Sequence, residues 1–364
     1  MAVPFILAGL AAAAGVAGVA KGGKAISNNS KAKELVEDAE YIYDRAKNEL
    51  ETQKEDTARQ LEVLGELKLK AWSEDLGKFI NVFSNFKNVR LENEVNLDNI
   101  LKANIKNVGD LKVIETAALK ATEVLKGGVG SLSAGALAGI ASYGGAMMFA
   151  SASTGTAIAS LSGAAATNAT LAWFGGGSLA AGGLGMAGGT LVLGGIVAGP
   201  VLAVAGFIMA AKAEENLANA RKTYSEAKHA VEQMGIMKDF LVSVENIAEL
   251  YTDFISNFSN IYKSMLIELD NILKISTEKQ SKKLINRIKK FLRIKFKIDF
   301  NLLSENDQKS LQVAWLLTQI YNAVLAAPIL NNEGNIDENA EKVLEAATES
   351  TIKYLGEQGE EIVG

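Results

Sequence analysis

The sequence predicts an all-α protein in which long amphipathic antiparallel helices, a stalk or coiled-coil bundle, carry a Gly/Ala-rich apolar helical head. Three observations predict it. Only Pro4, Pro200 and Pro328 interrupt 364 residues, so little breaks long helices. Two charged segments, 31–88 and 212–273, repeat apolar residues at helical spacing. Between them, the 85 residues Gly127–Ala211 contain no Asp, Glu, Lys, Arg or His, yet hold 21 of the 34 glycines. All 37 basic and 42 acidic residues therefore lie outside that stretch.

Residues 1–26 read as an apolar Ala/Gly helix. MAVPFILAGLAAAAGVAGVAKGGK has no charged side chain before Lys21, and only the α-amino group could act as a basic leader region. This is not a convincing cleavable signal. Two readings stay open: an alanine-rich helix packed in a core, or a weak membrane segment, since Ala and Gly contribute little transfer energy.

Residues 27–126 form the first stalk segment. KAKELVEDAEYIYDRAKNELETQ is rich in Glu, Lys, Ala and Leu, with Leu35, Ala39, Ile42 and Ala46 on one face. Leu61, Leu64, Trp72, Phe79, Phe83 and Phe86 continue the stripe less regularly. Asn96–Lys126 reads as a short helix, a turn near Gly109, and a second helix.

Residues 127–211 are the membrane-insertion candidate. Four apolar stretches can be drawn: Ser131–Phe149, Thr156–Trp173, Ser178–Gly189 and Thr190–Ala211, the last being the longest and most apolar. Gly135 and Gly139, Gly185 and Gly189, and Gly195 and Gly199 are GxxxG pairs. One glycine per turn clears a helix face so that a second helix can approach, which governs association in lipid. In water each glycine costs about 1 kcal/mol of helix propensity against alanine.

Residues 212–275 form the second stalk segment. Leu217, Ala220, Tyr224, Ala227, Val231, Met234, Leu241, Val244, Tyr251, Phe254, Phe258, Ile261, Met265 and Ile272 follow a 3.5-residue repeat.

Residues 276–364 hold a basic amphipathic segment and C-terminal helices. Lys282, Lys283, Arg287, Lys289, Lys290 and Arg293 are candidate contacts for anionic lipid headgroups. The plain alternative is a solvated helix face. Ile294, Phe296, Ile298 and Phe300 alternate like a strand. Ser304 with Asp307 is a cap for a helix through Leu325, which Pro328 ends. A turn and an acidic helix close the chain.

No constellation predicts catalysis, a cofactor or a metal. Gly183–Gly188 spells GxGxxG, but no strand precedes it and the first acid beyond is Glu214. Gly18–Ala25 resembles a phosphate loop with Ala25 where the hydroxyl belongs. His229 is the only histidine, and there is no cysteine. The net charge of −5 argues against nucleic acid as a partner.

Long amphipathic helices around a small-residue apolar block resemble α-helical pore-forming proteins of the cytolysin A type, and apolipoprotein L-like channel proteins. SLSGAAATNATLAWFGGGSLAAGGLGMAGG (Ser160–Gly189) resembles the glycine-zipper region of bacterial membrane-active proteins. The resemblance implies conditional bilayer insertion by a protein that oligomerises to permeabilise or remodel membranes. Its implied partners are lipid, further copies of itself and a helical protein at the 217–272 seam, with no small-molecule substrate. It implies a membrane-associated protein with a soluble form before insertion, in a bacterial cytoplasm or secreted by a non-classical route. The rival expectation is a soluble coiled-coil scaffold or partner-binding protein whose small-residue block is buried core.

Overall fold

The structure, a computed structural model, describes residues 22–89, 98–103, 111–126, 134–144, 217–281, 297–331 and 335–356. In chain order they form α1 (Gly22–Lys70), a π-helical turn (Ala71–Leu76), α2 (Gly77–Phe83), β1 (Phe86–Lys87), α3 (Asn99–Ala103) and α4 (Leu111–Lys126). Then follow α5 (Ala134–Tyr143), α6 (Leu217–Ser281), β2 (Ile298–Asp299), a 3₁₀ turn (Phe300–Leu302), α7 (Glu305–Ala326) and α8 (Ala340–Leu355). The protein is all-α. β1 and β2 are two residues each and pair in parallel, Phe86 with Ile298 and Lys87 with Asp299. The alternating stretch 294–300 thus gives strand only at Ile298–Asp299 among the described residues.

The chain divides into two compact units: Met1–Asn48 with Gly199–Gly235, and Glu49–Ala198 with Ile236–Gly364. In the first, α1 and α6 meet through small side chains. Ala32, Val36 and Ala220 form a buried cluster, with Leu35 and Leu217 packed against it. The buried positions of α1 run Ala32, Val36, Ala39 and Tyr43; those of α6 run Ala220, Thr223, Ala227, Ala230 and Met234. Steps of three and four are the 3.5-residue period of the expected seam. Its phase differs in detail. Leu35, Ile42, Tyr224 and Val231 are only half-buried, while Val36, Tyr43, Thr223 and Ala230 take the inner positions. Most of the inner positions are Ala or Thr, with Val36, Tyr43 and Met234 among them.

In the second unit α1 and α6 run in the same direction. Lys238 Nζ lies 2.9 Å from Glu49 Oε2, Gln53 donates to Glu245, and Gln60 donates to Thr252. Partners advance together along both helices, so the antiparallel pairing expected from the sequence is overturned. A short turn between helices forces antiparallel neighbours. Here all of 71–216 separates α1 from α6, so no short turn imposes that direction.

α7 lies antiparallel to both. Trp72 Nε1 donates to Asn322 Oδ1, Tyr321 OH to Asp75, and Ser310 Oγ to Glu268, while Tyr262 and Thr318 share a hydrogen bond. Every residue from Ala314 to Leu325 is buried. A helix covered all round is a core, not a surface element. Phe79, Phe83 and Trp315 stack on one side of it, with Phe83 and Trp315 ring centroids 5.6 Å apart. Phe258 and Tyr321 meet on the other at 4.8 Å. The apolar stripes of α1 and α6 in this unit therefore cover α7, with α4, α5 and α8 in the same core. α7 starts as predicted: Ser304 Oγ accepts from the Asp307 amide at 3.2 Å. It ends at Ala326, two residues before Pro328. The short helix and longer helix expected over 96–126 are α3 and α4.

Among the described residues no helix is long and apolar enough to cross a membrane. The stretches Thr156–Trp173, Ser178–Gly189 and Thr190–Ala211 lie outside those residues, as does 1–21. Ser131–Phe149 is helical at Ala134–Tyr143, and Gly144 then turns the chain at φ +49°.

Candidate functional site

α5 lies within the uncharged stretch, and the second unit grips it with groups drawn from far along the chain. α5 has the sequence AGALAGIASY, seven of its ten residues Ala, Gly or Ser and none charged. Leu137, Gly139, Ile140, Ala141, Ser142 and Tyr143 are buried. At Gly65 of α1 the approach is closer than any side chain allows: a Cβ there would lie 2.1 Å from the Leu137 carbonyl oxygen. Only glycine permits two backbones to meet this way.

One helical turn further along, Lys68 is completely buried at 0% exposure. Its Nζ donates to the Ala141 carbonyl at 3.2 Å and to the Ala327 carbonyl at 3.0 Å. The same nitrogen lies 5.0 Å from the centroid of the Tyr251 ring. The two acceptors sit at the C-terminal ends of α5 and α7. Carbonyls there lack amide partners within their own helix and carry the negative pole of the helix dipole. They favour an ammonium, but burial opposes it and pulls Lys68 down to about 7. Tyr251 is buried too, and burial followed by the charge of Asp337 raises its phenol. Its hydroxyl donates to the Ala340 carbonyl at 2.8 Å.

The next residues of α5 are held by backbone. The amides of Ile329 and Leu330 both donate to the Ser142 carbonyl, at 2.7 and 2.9 Å. Gly144 follows in the left-handed region, where a Cβ would meet the Ala326 carbonyl oxygen at 2.4 Å. Thus the last turn of α5 is capped by Lys68 and by the segment after α7.

Two turns beyond Lys68, the π-helical turn carries a second buried ionisable group. Asp75 Oδ2 accepts from Ser259 Oγ at 2.6 Å and from Tyr321 OH at 3.1 Å. Burial raises its carboxyl, against the hydrogen bond from Ser259, the charge of Lys263 and the hydrogen bond from Tyr321. Asp75 ties α6 and α7 to the turn between α1 and α2.

Lys68 and Asp75 were not legible as site residues, because Lys and Asp on a charged helix read as solvated. A signal existed. The buried positions Leu50, Thr57, Leu64, Lys68, Ala71 and Asp75 keep to one face of the helix, so both ionisable groups fall on the seam.

Of the glycines expected to pack helices, Gly139 is buried in α5 and Gly135 lies in the same helix. Gly185, Gly189, Gly195 and Gly199 lie outside the described residues, as do Lys282, Lys283, Arg287, Lys289, Lys290 and Arg293. The close helix contact that is described uses Gly65, outside the uncharged stretch. His229 is exposed on α6 with Nδ1 3.6 Å from Glu232. Among the described residues no group of three or more His, Asp or Glu side chains could hold a metal ion. A groove of about 360 Å³ between α6 and α7 is lined by Met265, Leu269, Val313, Leu317 and Leu355, with Glu268 and Lys309 among its polar residues. The chain matches no family model, no curated protein and no solved structure.

Proposed function

We propose that this is a membrane-active helical protein in which Gly127–Ala211 enters a lipid bilayer and copies assemble to permeabilise or remodel it. The observation that carries the reading is the 85-residue stretch without a charged side chain, set in a chain whose other residues hold all 79 Lys, Arg, Asp and Glu (37 + 42). A bilayer excludes charge at about 2.5 to 3.5 kcal/mol per lysine or aspartate at its centre. Its glycine content makes the stretch a weak permanent anchor and a good conditional one.

The packing of α5 supports a shielded resting form. Residues 134–144 are the described part of the stretch, and Leu137 and Gly139–Gly144 are buried in the second unit. In this reading α1 and α6, whose buried positions recur every three and four residues, serve as the stalk. The partners in this reading are lipid, anionic headgroups at 282–293, and further copies of the chain. It assigns no catalysis.

One observation favours the rival reading, a soluble helical scaffold. Among the described residues of the second unit, the apolar stripes of α1 and α6 pack on α7, as the core of a helical scaffold would.

Dye release from anionic vesicles separates the two. Val197→Lys and Val204→Lys place a charge in the most apolar segment, and Ser225→Lys places one at an exposed site on α6. The expected result is helical protein in all three, with leakage lost only in the first two. Wild-type leakage from Val197→Lys and Val204→Lys would show that the segment does not enter lipid, and the scaffold reading would replace this one.

A further inference from the structure

The second unit holds α5 by its last turn. Ala141 and Ser142 present carbonyls that their own helix leaves open, and the bundle supplies the donors: Lys68 to one, Ile329 and Leu330 to the other. Lys68 also spans from α1 to the Ala327 carbonyl just past α7. A single side chain thus joins α1, α5 and the end of α7. It does so as a fully buried amine, with no carboxylate hydrogen-bonded to it among the described residues.

An apolar side chain at this position would need no desolvation. The amine needs it, and what it contributes in return is specific: a bond from the bundle to α5, a helix of the uncharged stretch. We propose that Lys68 is a clasp that holds α5 against the bundle, and that its opening is the step that lets α5 leave. The clasp stands on the geometry around Lys68. What α5 then does rests on the membrane reading above.

Three features make the contact a clasp and not ordinary packing. It is polar, so solvent can replace it when α5 leaves, whereas a greasy contact would resist. It is cooperative: a partial opening leaves Lys68, the Ala141 and Ser142 carbonyls and the Ile329 and Leu330 amides unpaired before water reaches them, so they part together. And it sits at the junction. Gly144 follows at once, with the Ala326 and Ala327 carbonyls too close for any Cβ, and the Ala327 carbonyl is the one that accepts from Lys68.

The test is hydrogen–deuterium exchange on the full chain, read over 134–144 and over α7. Lys68→Met keeps the length of the side chain and removes its donors. Exchange over 134–144 is expected to speed about tenfold as α5 opens more often, while α7 before its last turn holds its protection. Gly144→Ala attacks the same junction through a different contact and is expected to act in the same direction. Leu69→Ala, at a fully buried neighbour, is the control that loosens both regions in step. Exchange over 134–144 that stays at the wild-type rate in Lys68→Met, or that changes only in step with α7, overturns the clasp whatever the vesicles show. Dye release on the same variants reads the other half. Faster release in Lys68→Met and Gly144→Ala supports clasp opening as the freeing step. A loosened α5 with wild-type release overturns that step. A loosened α5 with no release from any protein, wild type included, removes the membrane reading and leaves the clasp standing.

Discussion

Lys68 makes the stability of this protein depend on pH in a window where few other groups titrate. Burial brings it from 10.5 in the unfolded chain to about 7 in the folded one. Between those values the unfolded chain holds a proton that the folded protein lacks. Stability therefore rises with pH across the window, by up to about 1.4 kcal/mol per pH unit, and sits on its low plateau below pH 7. Asp75 acts elsewhere. Its carboxyl is raised, so its contribution is greatest in acid and is lost as pH rises through its folded value. Tyr251, Tyr262 and Tyr321 are raised by burial and lower stability only where phenols of the unfolded chain ionise, near pH 10 and above. Urea midpoints from pH 7 to 9.5 should climb for the wild type and stay flat for Lys68→Met. Parallel profiles would mean that Lys68 keeps its proton in the folded state.

At the scale of elements, two helical glycines predict opposite outcomes for the same change. Gly65 faces the α5 backbone, and an added Cβ would overlap the Leu137 carbonyl at 2.1 Å. Gly65→Ala should destabilise the fold by about 1 to 3 kcal/mol, because a backbone must move to admit the methyl group. Gly235 lies within α6 and a Cβ there meets nothing within 4 Å. Gly235→Ala should stabilise by up to about 1 kcal/mol through helix propensity alone. Thermal or urea unfolding of the two variants checks both, and a neutral Gly65→Ala would show that α5 is not held at the described distance. The helices themselves were legible. α1 and α6 came from charge-rich apolar periodicity, α7 from its Ser304 cap and Pro328 stop, and α8 from the acidic tail. The phase of the seam was legible only to within a residue, because Ala220, Thr223 and Ala230 carry little hydrophobic signal and pack inside for their small size.

For the whole molecule, the basic stretch offers a prediction independent of the buried clasp. If Lys282, Lys283, Arg287, Lys289, Lys290 and Arg293 meet anionic headgroups, binding to anionic vesicles should fall steeply with salt. Charges outside a core are screened over about 10 Å at 0.1 M. Sedimentation with neutral and anionic vesicles at low and high salt measures this. Equal binding in all four conditions would remove the lipid contact and leave a plain surface segment. The two units invite different expectations of variants. The first is joined by small side chains such as Ala32, Ala39 and Ala220, so added bulk there should be felt at once. The second has large aromatic groups around α7, where truncation leaves a cavity.

Composition and periodicity by themselves determined that the protein is helical, where its long helices run, and that one stretch of 85 residues lacks charge. These are local properties. A 3.5-residue stripe, a cap or a missing charge is visible in the residues that carry it. Only the tertiary structure decided that α1 and α6 run parallel, since direction depends on how the chain between them returns. It alone decided that α7 is the core helix: its apolar residues alternate with Thr318, Gln319 and Asn322, and only neighbours on every side bury them all. And it alone brought Lys68, Ala141 and Ala327 together, because a contact among residues so far apart in the chain leaves no trace in any one of them.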